Sequence, residues 1–431
     1  MLSSNLNGKK ILLMGGVSPA ADLINLAHRN HVFVGVADYN KDTYVKNMAD
    51  AAHDIDATDV DAVVELCKKE GYDGVISNFV DMLSPYAARV AECLGFYVPF
   101  TEEQLKLSTD KKYFKEKCIE YGVPVPKEYK IESREDIYNM DITYPVIIKP
   151  VDGSGSKGVS PCFNQEELLS GYDKAMNASR TKDIIVEQYV PFDEINVTYI
   201  AQDGDVQLAA IHDRYFNETQ EGVVRVPDLY IYPSRYTDVY IEKYNHLVIN
   251  MLKELGIRNG SLFLQACVKD GQVYFYEAGM RLNGCKTYQI LEIENGFNTF
   301  ERLLHYALTG SMGPHTVFNP KLGRWYATIN VLGEPGAVIH HFNGIRELES
   351  YPWLIHIARA YYEGERIPPD SAGTLVQDTT RIHVWADTKE ELIARIDKTN
   401  ELYQLIDEEG KNVILKPHDT KRVLENLNYS I

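Results

Sequence analysis

The chain has 431 residues, a length that suits two to four folded units and buries a core without help from metals or disulfides. Apolar residues make up 45% and charged residues 25%, a globular balance that argues against wholesale disorder. With 44 basic against 62 acidic side chains the formal charge is −18. This disfavours nucleic acid and anionic membranes as partners, yet leaves room for a locally basic pocket.

The six cysteines (Cys67, Cys93, Cys118, Cys162, Cys267 and Cys285) are irregularly spaced, with no CxxC. That speaks against a zinc ribbon or a disulfide framework and fits a reducing compartment. The histidines form no HxH or HExxH pair, and on a strand the neighbours His340 and His341 would point to opposite faces. The opening MLSSNLNGKKILLMGG is too polar for a signal peptide. No apolar run reaches the roughly 18 residues of a membrane span. A soluble cytoplasmic protein is the expectation.

The first hundred residues alternate strand and helix patterns. Strands are predicted at Lys10–Met14, Val32–Val36 and Gly74–Ile76, and helices at Ala20–His28, Asp59–Lys69 and Pro85–Leu94. Such alternation means a doubly wound parallel sheet. Its carboxyl ends bring Gly15, Gly16, Asp38 and Asn78 to one crevice. GGVSPA departs from GxGxxG, so Gly15-Gly16 reads as a tight turn into the helix.

From Ser108 the texture changes. A charged helix, Thr109–Tyr121, stops at Gly122 and is followed by VPVP. A strand Pro145–Lys149, a Gly/Ser loop, a helix Gln165–Ala178 and strands Ile184–Tyr189, Ile195–Ile200 and Val206–His212 come next. Val239–Leu255 has the spacing of one amphipathic helix. A hairpin follows, Leu262–Val268 with Val273–Glu277, turning at Asp270-Gly271. The last region contains strands Trp325–Val331 and Arg381–Trp385, a helical piece over Pro352–Glu363 and a helix Lys389–Leu405.

Five features carry chemistry. In VIIKPVDGSGSKGV, residues 146–159, a strand delivers Lys149 to a loop of Gly153, Ser154, Gly155, Ser156, Lys157 and Gly158. Backbone N–H groups and hydroxyls of such a loop can wrap an anion, with the lysine as a point charge. It is not a Walker A loop, since no GKS/T opens a following helix. Asp110-Lys111-Lys112 opens a helix and offers a second phosphate-binding lysine. The strand end Glu187-Gln188-Tyr189-Val190 can hold an adenine by backbone bonds, and Glu194 the ribose hydroxyls. Gln265 and Glu277 lie across the hairpin. A two-residue loop would put them on opposite faces; a three-residue loop, Lys269–Gly271, puts them on one face, where two oxygen ligands suit Mg²⁺. Finally, Glu277-Ala-Gly-Met-Arg281-Leu-Asn283 sets a guanidinium beside that carboxylate, fit to hold a carboxylate or an oxyanion.

The order Lys111, Lys149 with its Gly/Ser loop, Glu187…Glu194, Gln265…Glu277…Arg281 resembles the ATP-grasp superfamily, and the resemblance covers essentially the whole chain. It implies an N-terminal α/β domain over 1–107, an α+β ATP-grasp domain over 108–315 with its small lid at about 123–190, and a small C-terminal α+β subdomain over 316–431. It implies ATP with Mg²⁺ or Mn²⁺, a homodimer, and phosphorylation of a carboxylate that an amine then attacks. By the same resemblance Lys111 and Lys149 bind phosphates, residues 153–158 form a flap over them, Glu187 to Val190 are the adenine hinge and Glu194 takes the ribose. Gln265 and Glu277 hold the metal, and Arg281 holds the substrate carboxylate and the acyl-phosphate or tetrahedral species.

The chain departs from the family at two positions. Gln265 stands where many members have glutamate, although the carbamoyl-phosphate synthase branch also uses glutamine. Gly279 stands where many read asparagine in E-x-N-P-R, a residue that bacterial L-amino acid ligases often lack too. This leaves fewer ligands for a second metal ion. The polar stretch 212–235 lies between grasp strands, and His212, Arg214 and Arg225, with Asn283, are candidates for substrate recognition. The leading expectation is a ligase joining a small carboxylate, an amino acid in the first instance, to an amine. The alternatives are the same ATP chemistry on a carbamoyl- or formyl-phosphate type of acceptor, and a non-catalytic nucleotide sensor.

Overall fold

The computed structural model describes residues 6–17, 20–77, 80–152, 158–189, 193–216 and 226–429. The N-terminal part is a parallel sheet in the order β3-β2-β1-β4. Its strands are β1 (Lys10–Met14), β2 (Phe33–Asp38), β3 (Ala51–Asp54) and β4 (Gly74–Ile76). Helices α1 (Ala21–Arg29), α2 (Tyr44–Met48), α3 (Val60–Glu70) and α4 (Ser84–Leu94) connect and cover it. Strand β3, AAHD, and helix α2 stand where sequence patterning assigns nothing, because each is too short to show a period.

Two further helices, α5 (Glu102–Thr109) and α6 (Lys111–Glu120), meet at Asp110. Thr101 and Gln104 form a reciprocal capping box on α5, and the Asp110 carboxylate accepts from the N–H groups of Lys112 and Tyr113 to start α6. A small antiparallel sheet follows in the order β5-β8-β6-β7. It is built from β5 (Glu128–Tyr129), β6 (Val146–Pro150), β7 (Ser160–Cys162) and β8 (Ile184–Gln188), with α7 (Asp136–Asn139) and α8 (Gln165–Ala178) packed on it.

The largest sheet is antiparallel and has eight strands in the order β13-β12-β9-β10-β11-β14-β17-β16. Strands β9 (Asp193–Gln202), β10 (Asp205–Phe216) and β11 (Pro227–Tyr232) come first, then helices α9 (Thr237–Lys243) and α10 (Asn245–Glu254). The expected single helix over 239–255 is thus two: the chain breaks at Tyr244, whose hydroxyl receives the Val273 N–H at 3.3 Å. Next are β12 (Gly260–Lys269), β13 (Gln272–Gly279), α11 (Thr287–Asn295), α12 (Thr299–Thr309) and β14 (Trp325–Leu332).

Strands β15 (His341–Asn343), β16 (Leu354–Arg359), β17 (Asp378–Ala386) and β18 (Gln404–Ile406) and helices α13 (Ile345–Leu348), α14 (Lys389–Leu402) and α15 (Thr420–Asn426) follow. The predicted helical piece at 352–363 is therefore corrected to a strand: Leu354–Arg359 pairs with β17 at the sheet edge, where its branched side chains suit the pleat. The sheet runs unbroken from β11 into β14, β17 and β16.

Strand alternation divides the large sheet into two faces. On β9, Val197 and Tyr199 join Tyr240, Val248 and Met251 in one core. Glu194, Asn196 and Thr198 point to the other face, toward the N-terminal part, where α1 packs on α12. Strand β4 lies so close to α12 that a Cβ on Gly74 would stand 2.5 Å from the Ala307 carbonyl oxygen. We expect Gly74→Ala to cost about 1–3 kcal/mol, read as a lower urea midpoint at unchanged slope.

Candidate active site

Opposed residues on neighbouring strands share a face, so the ladder registers define two rows of side chains about 4.8 Å apart per strand. The first row is Glu277, Gln265, Asn196 and His212. The second is Cys267, Glu194, Arg214 and Tyr230.

Gln265 opposes Glu277 for a reason other than a longer loop. The hairpin turn has two residues, with Lys269 paired to Gln272 and both Asp270 (φ 50) and Gly271 (φ 73) left-handed, as a type I′ turn demands. The register then shifts between Gln265 and Ala266, so that Ala266 faces Phe275 while Gln265 faces Glu277. The extra residue, Tyr276, is a β-bulge. Its hydroxyl donates to Glu194 Oε2 at 2.7 Å on the same face as Glu277. Gln265 and Glu277 meet as the Mg²⁺ reading requires, and the bulge rather than the loop brings them together.

Lys149, from β6, is buried with its Nζ 2.6 Å from Glu187 Oε2. Lys115, one turn after Lys111 on α6, reaches the other oxygen of Glu187 and also Glu128, each at 2.6 Å. Glu187 is 1% exposed. Burial pushes its carboxyl up, and the charges of Lys149 and then Lys115 outweigh that push, so it sits below its ordinary 4.5. Its side chain is thus a lysine holder, while the backbone N–H groups of Gln188 and Tyr189 already donate to Lys127 and Pro145 carbonyls. Val190, the remaining hinge residue, lies outside the described residues, as do Gly153, Ser154, Gly155 and Ser156 of the loop and Arg225. Gly158 is described and lies against Pro150 and Ala178.

Glu194 and Arg214 stand opposite each other in the ladder and pair at 2.6 Å. Arg214 Nη1 also donates to the Tyr276 hydroxyl at 2.7 Å. Lys149 Nζ lies 5.5 Å from the Tyr276 ring centre, a cation over an aromatic face. The candidate ribose ligand, a candidate substrate arginine and the candidate phosphate lysine therefore form one cluster. His212 is fully buried, with Nε2 at 3.6 Å from Cys285 Sγ and its ring against Tyr230 and Tyr232. Burial holds it well below 6.5, so the imidazole is neutral. Asn283 is buried, donates to Thr198 and Thr287, and accepts from the Thr287 N–H at the start of α11.

Arg281 follows β13 and lies on the ring of Phe263, 5.2 Å from its centre. Gly279 makes this possible: a Cβ there would stand 2.2 Å from Phe263 Cζ. The position that many ATP-grasp sequences give to an asparagine ligand is occupied here by an aromatic ring. Arg281 Nε and Nη2 both donate to one oxygen of Asp81, at 2.7 Å. Lys111 Nζ is 4.0 Å from Glu277 Oε1. Asp81, Lys115 and Tyr276 were not singled out in the sequence. Lys111 and Lys115 share a helix face at i, i+4, which was a signal for Lys115; Asp81, in the N-terminal part, carried none.

The residues present fit Mg²⁺ with a nucleotide. Gln265 and Glu277 supply oxygens on one face, Asn196 Oδ1 beside them is buried without a partner among the described residues, and Lys111 and Lys149 flank the row. Since Glu187 titrates below 4.5 when folded, its pairing stabilises the protein above that value and is lost as pH falls through the lower folded value. We expect Lys115→Met to cost about 1.5–3 kcal/mol and to raise the pH at which acid unfolding begins, measured by urea titration across pH 3–6.

A model of the ATP-grasp domain family matches residues 142–289. The chain is 24% identical over 281 residues to the formate-dependent phosphoribosylglycinamide formyltransferase of Bacillus subtilis, covering 63% of this chain and 71% of that one. It is 24% identical over 212 residues to the ATP-grasp enzyme fsqD of Aspergillus fumigatus, covering 48% of this chain and 36% of that one. Among solved structures, an L-amino acid ligase from Bacillus licheniformis matches 93% of this chain and 99% of its own at a TM-score of 0.75 and 17% identity. A phosphoribosylglycinamide synthetase from Anaerococcus prevotii matches 93% and 100% at a TM-score of 0.72 and 19% identity. The lysines, the Gln265–Glu277 pair and Arg281 are set around one sheet face, and residues 142–289 of the chain match the ATP-grasp domain.

Proposed function

We propose that this ATP-grasp enzyme is a carboxylate–amine ligase: it phosphorylates a small carboxylate with ATP, joins the acyl group to an amine, and releases ADP and phosphate. The observation that carries the reading is the bulge in β13, which sets Glu277 opposite Gln265, 4.0 Å from Lys111 and four residues before Arg281. Lys111 and Lys149 neutralise the phosphates. Tyr276 and Arg214 orient Glu194 toward the ribose. Arg281 holds the carboxylate and then the oxyanion that forms when the amine attacks. Mg²⁺, or Mn²⁺ in its place, spreads the charge of the transferring phosphoryl group when bound to Gln265 and Glu277.

A formyl-group acceptor is the second reading, favoured by the formate-dependent formyltransferases among the relatives. Among the described residues no helix is long and apolar enough to cross a membrane. We infer small-molecule partners and a homodimer in the cytoplasm, as in the sequence reading. Glu277→Gln keeps the size and removes the charge. We expect it to lower ADP release by about 100-fold or more while leaving the thermal unfolding curve in place; normal turnover would defeat the metal assignment.

A further inference from the structure

Arg281 is the group assigned above to the substrate carboxylate, yet its fork is already taken. Nε and Nη2 both bind one oxygen of Asp81. A carboxylate that takes over Arg281 strips Asp81 of its principal cation. Asp81 is half-buried, and burial and the charge of Glu277 both disfavour its own charge; Lys111 attracts it, but stands 4.0 Å from Glu277. An anion left in that position is costly. The exchange balances only if the substrate brings a positive charge beside its carboxylate. An α-amino acid does so; formate and bicarbonate do not.

Beyond Arg281 a cleft runs between the N-terminal part and the end of the β12–β13 hairpin. Its walls include Val75, Ile76, Phe100, Met280 and Leu303. Arg281 is the one charged side chain on it among the described residues, and Ser77, also on the wall, has a buried hydroxyl without a partner. Such a cleft takes an uncharged, mostly apolar group.

We propose that the carboxylate activated here belongs to an apolar α-amino acid: its carboxylate takes Arg281, its ammonium takes Asp81, and its side chain enters the cleft. This rests on the ligase reading and narrows it to one substrate class. It also decides against formate.

The test uses the purified full chain with Mg·ATP and a pool of amines, and reads ADP release. The carboxylates are leucine, methionine, phenylalanine, aspartate, lysine and formate, with 4-methylpentanoate as leucine lacking its ammonium. We expect kcat/KM for leucine, methionine or phenylalanine to exceed that for aspartate, lysine and formate by at least about tenfold. Leucine should exceed 4-methylpentanoate by a similar factor, and Asp81→Asn should bring that last ratio near one. The comparison of leucine with 4-methylpentanoate needs only the unaltered protein, so it stands even if the variant does not fold. Equal rates for those two compounds, or preference for formate or a charged amino acid, overturns this inference and leaves the ligase reading standing. ADP release with none of the carboxylates overturns both.

Discussion

A carboxylate that is 1% exposed stays ionised only with cations against it, and Glu187 has two. That arrangement organises the side of the molecule that we assign to the nucleotide. Lys149 comes from the small sheet and Lys115 from α6, so one buried anion ties helix to sheet. Lys115 also fixes the rotation of α6. Lys111, one turn earlier on the same face, is thereby aimed at Glu277 on the large sheet. The spacing of two lysines on one helix thus relates the small sheet to the large one, and the space between them is where a polyphosphate's charge is best met.

The large sheet does the rest by alternation. On β9, Glu194, Asn196 and Thr198 are polar and share the face of Ile200, which packs with the N-terminal part, while Ile195, Val197, Tyr199 and Ala201 fill the core beneath. One irregularity breaks the rule. The bulge at Tyr276 lets two consecutive residues, Tyr276 and Glu277, serve the same face. Tyr276 then joins Glu194 and Arg214, and Glu277 joins Gln265. A few residues on, Gly279 gives way to the ring of Phe263, which carries the Arg281 guanidinium. The loss of a side chain at 279 and the placement of Arg281 are one packing event.

What was legible in the sequence follows the range of the interactions. Strand KILLM and helix Gln165–Ala178 were legible because their patterns are local, and the structure has both with those bounds. The Asp270-Gly271 turn was legible because only residues tolerant of positive φ fit it. The facing of Gln265 and Glu277 was expected from the wrong device, since a bulge leaves no mark in composition. The helical reading of Pro352–Glu363 failed because an apolar run of that length serves either state, and the exposed edge of β17 decided it. Asp81 was out of reach: it meets Arg281 across 200 residues of sequence, through a fold that local patterns do not describe.

The site also resolves a tension in the composition. A chain of net charge −18 must still attract a nucleotide and a carboxylate. On the proposed reading it does so with lysines and arginines that are already matched: Lys149 to Glu187, Arg214 to Glu194, Arg281 to Asp81. These cations are therefore held in place without ligand, and little reorganisation is needed when one arrives. The same pairing sets a selective condition. A ligand group gains such a cation only by displacing or sharing its carboxylate, and a displaced carboxylate needs a new partner. At Glu187 two lysines hold the anion, one of them also serving Glu128, so a phosphate that shares one lysine still leaves Glu187 a cation. At Asp81 one arginine serves one anion, so nothing is left over. On the proposed reading, the doubly held anion at Glu187 tolerates sharing a cation, whereas the singly held Asp81 makes the substrate side selective for molecules that carry both signs.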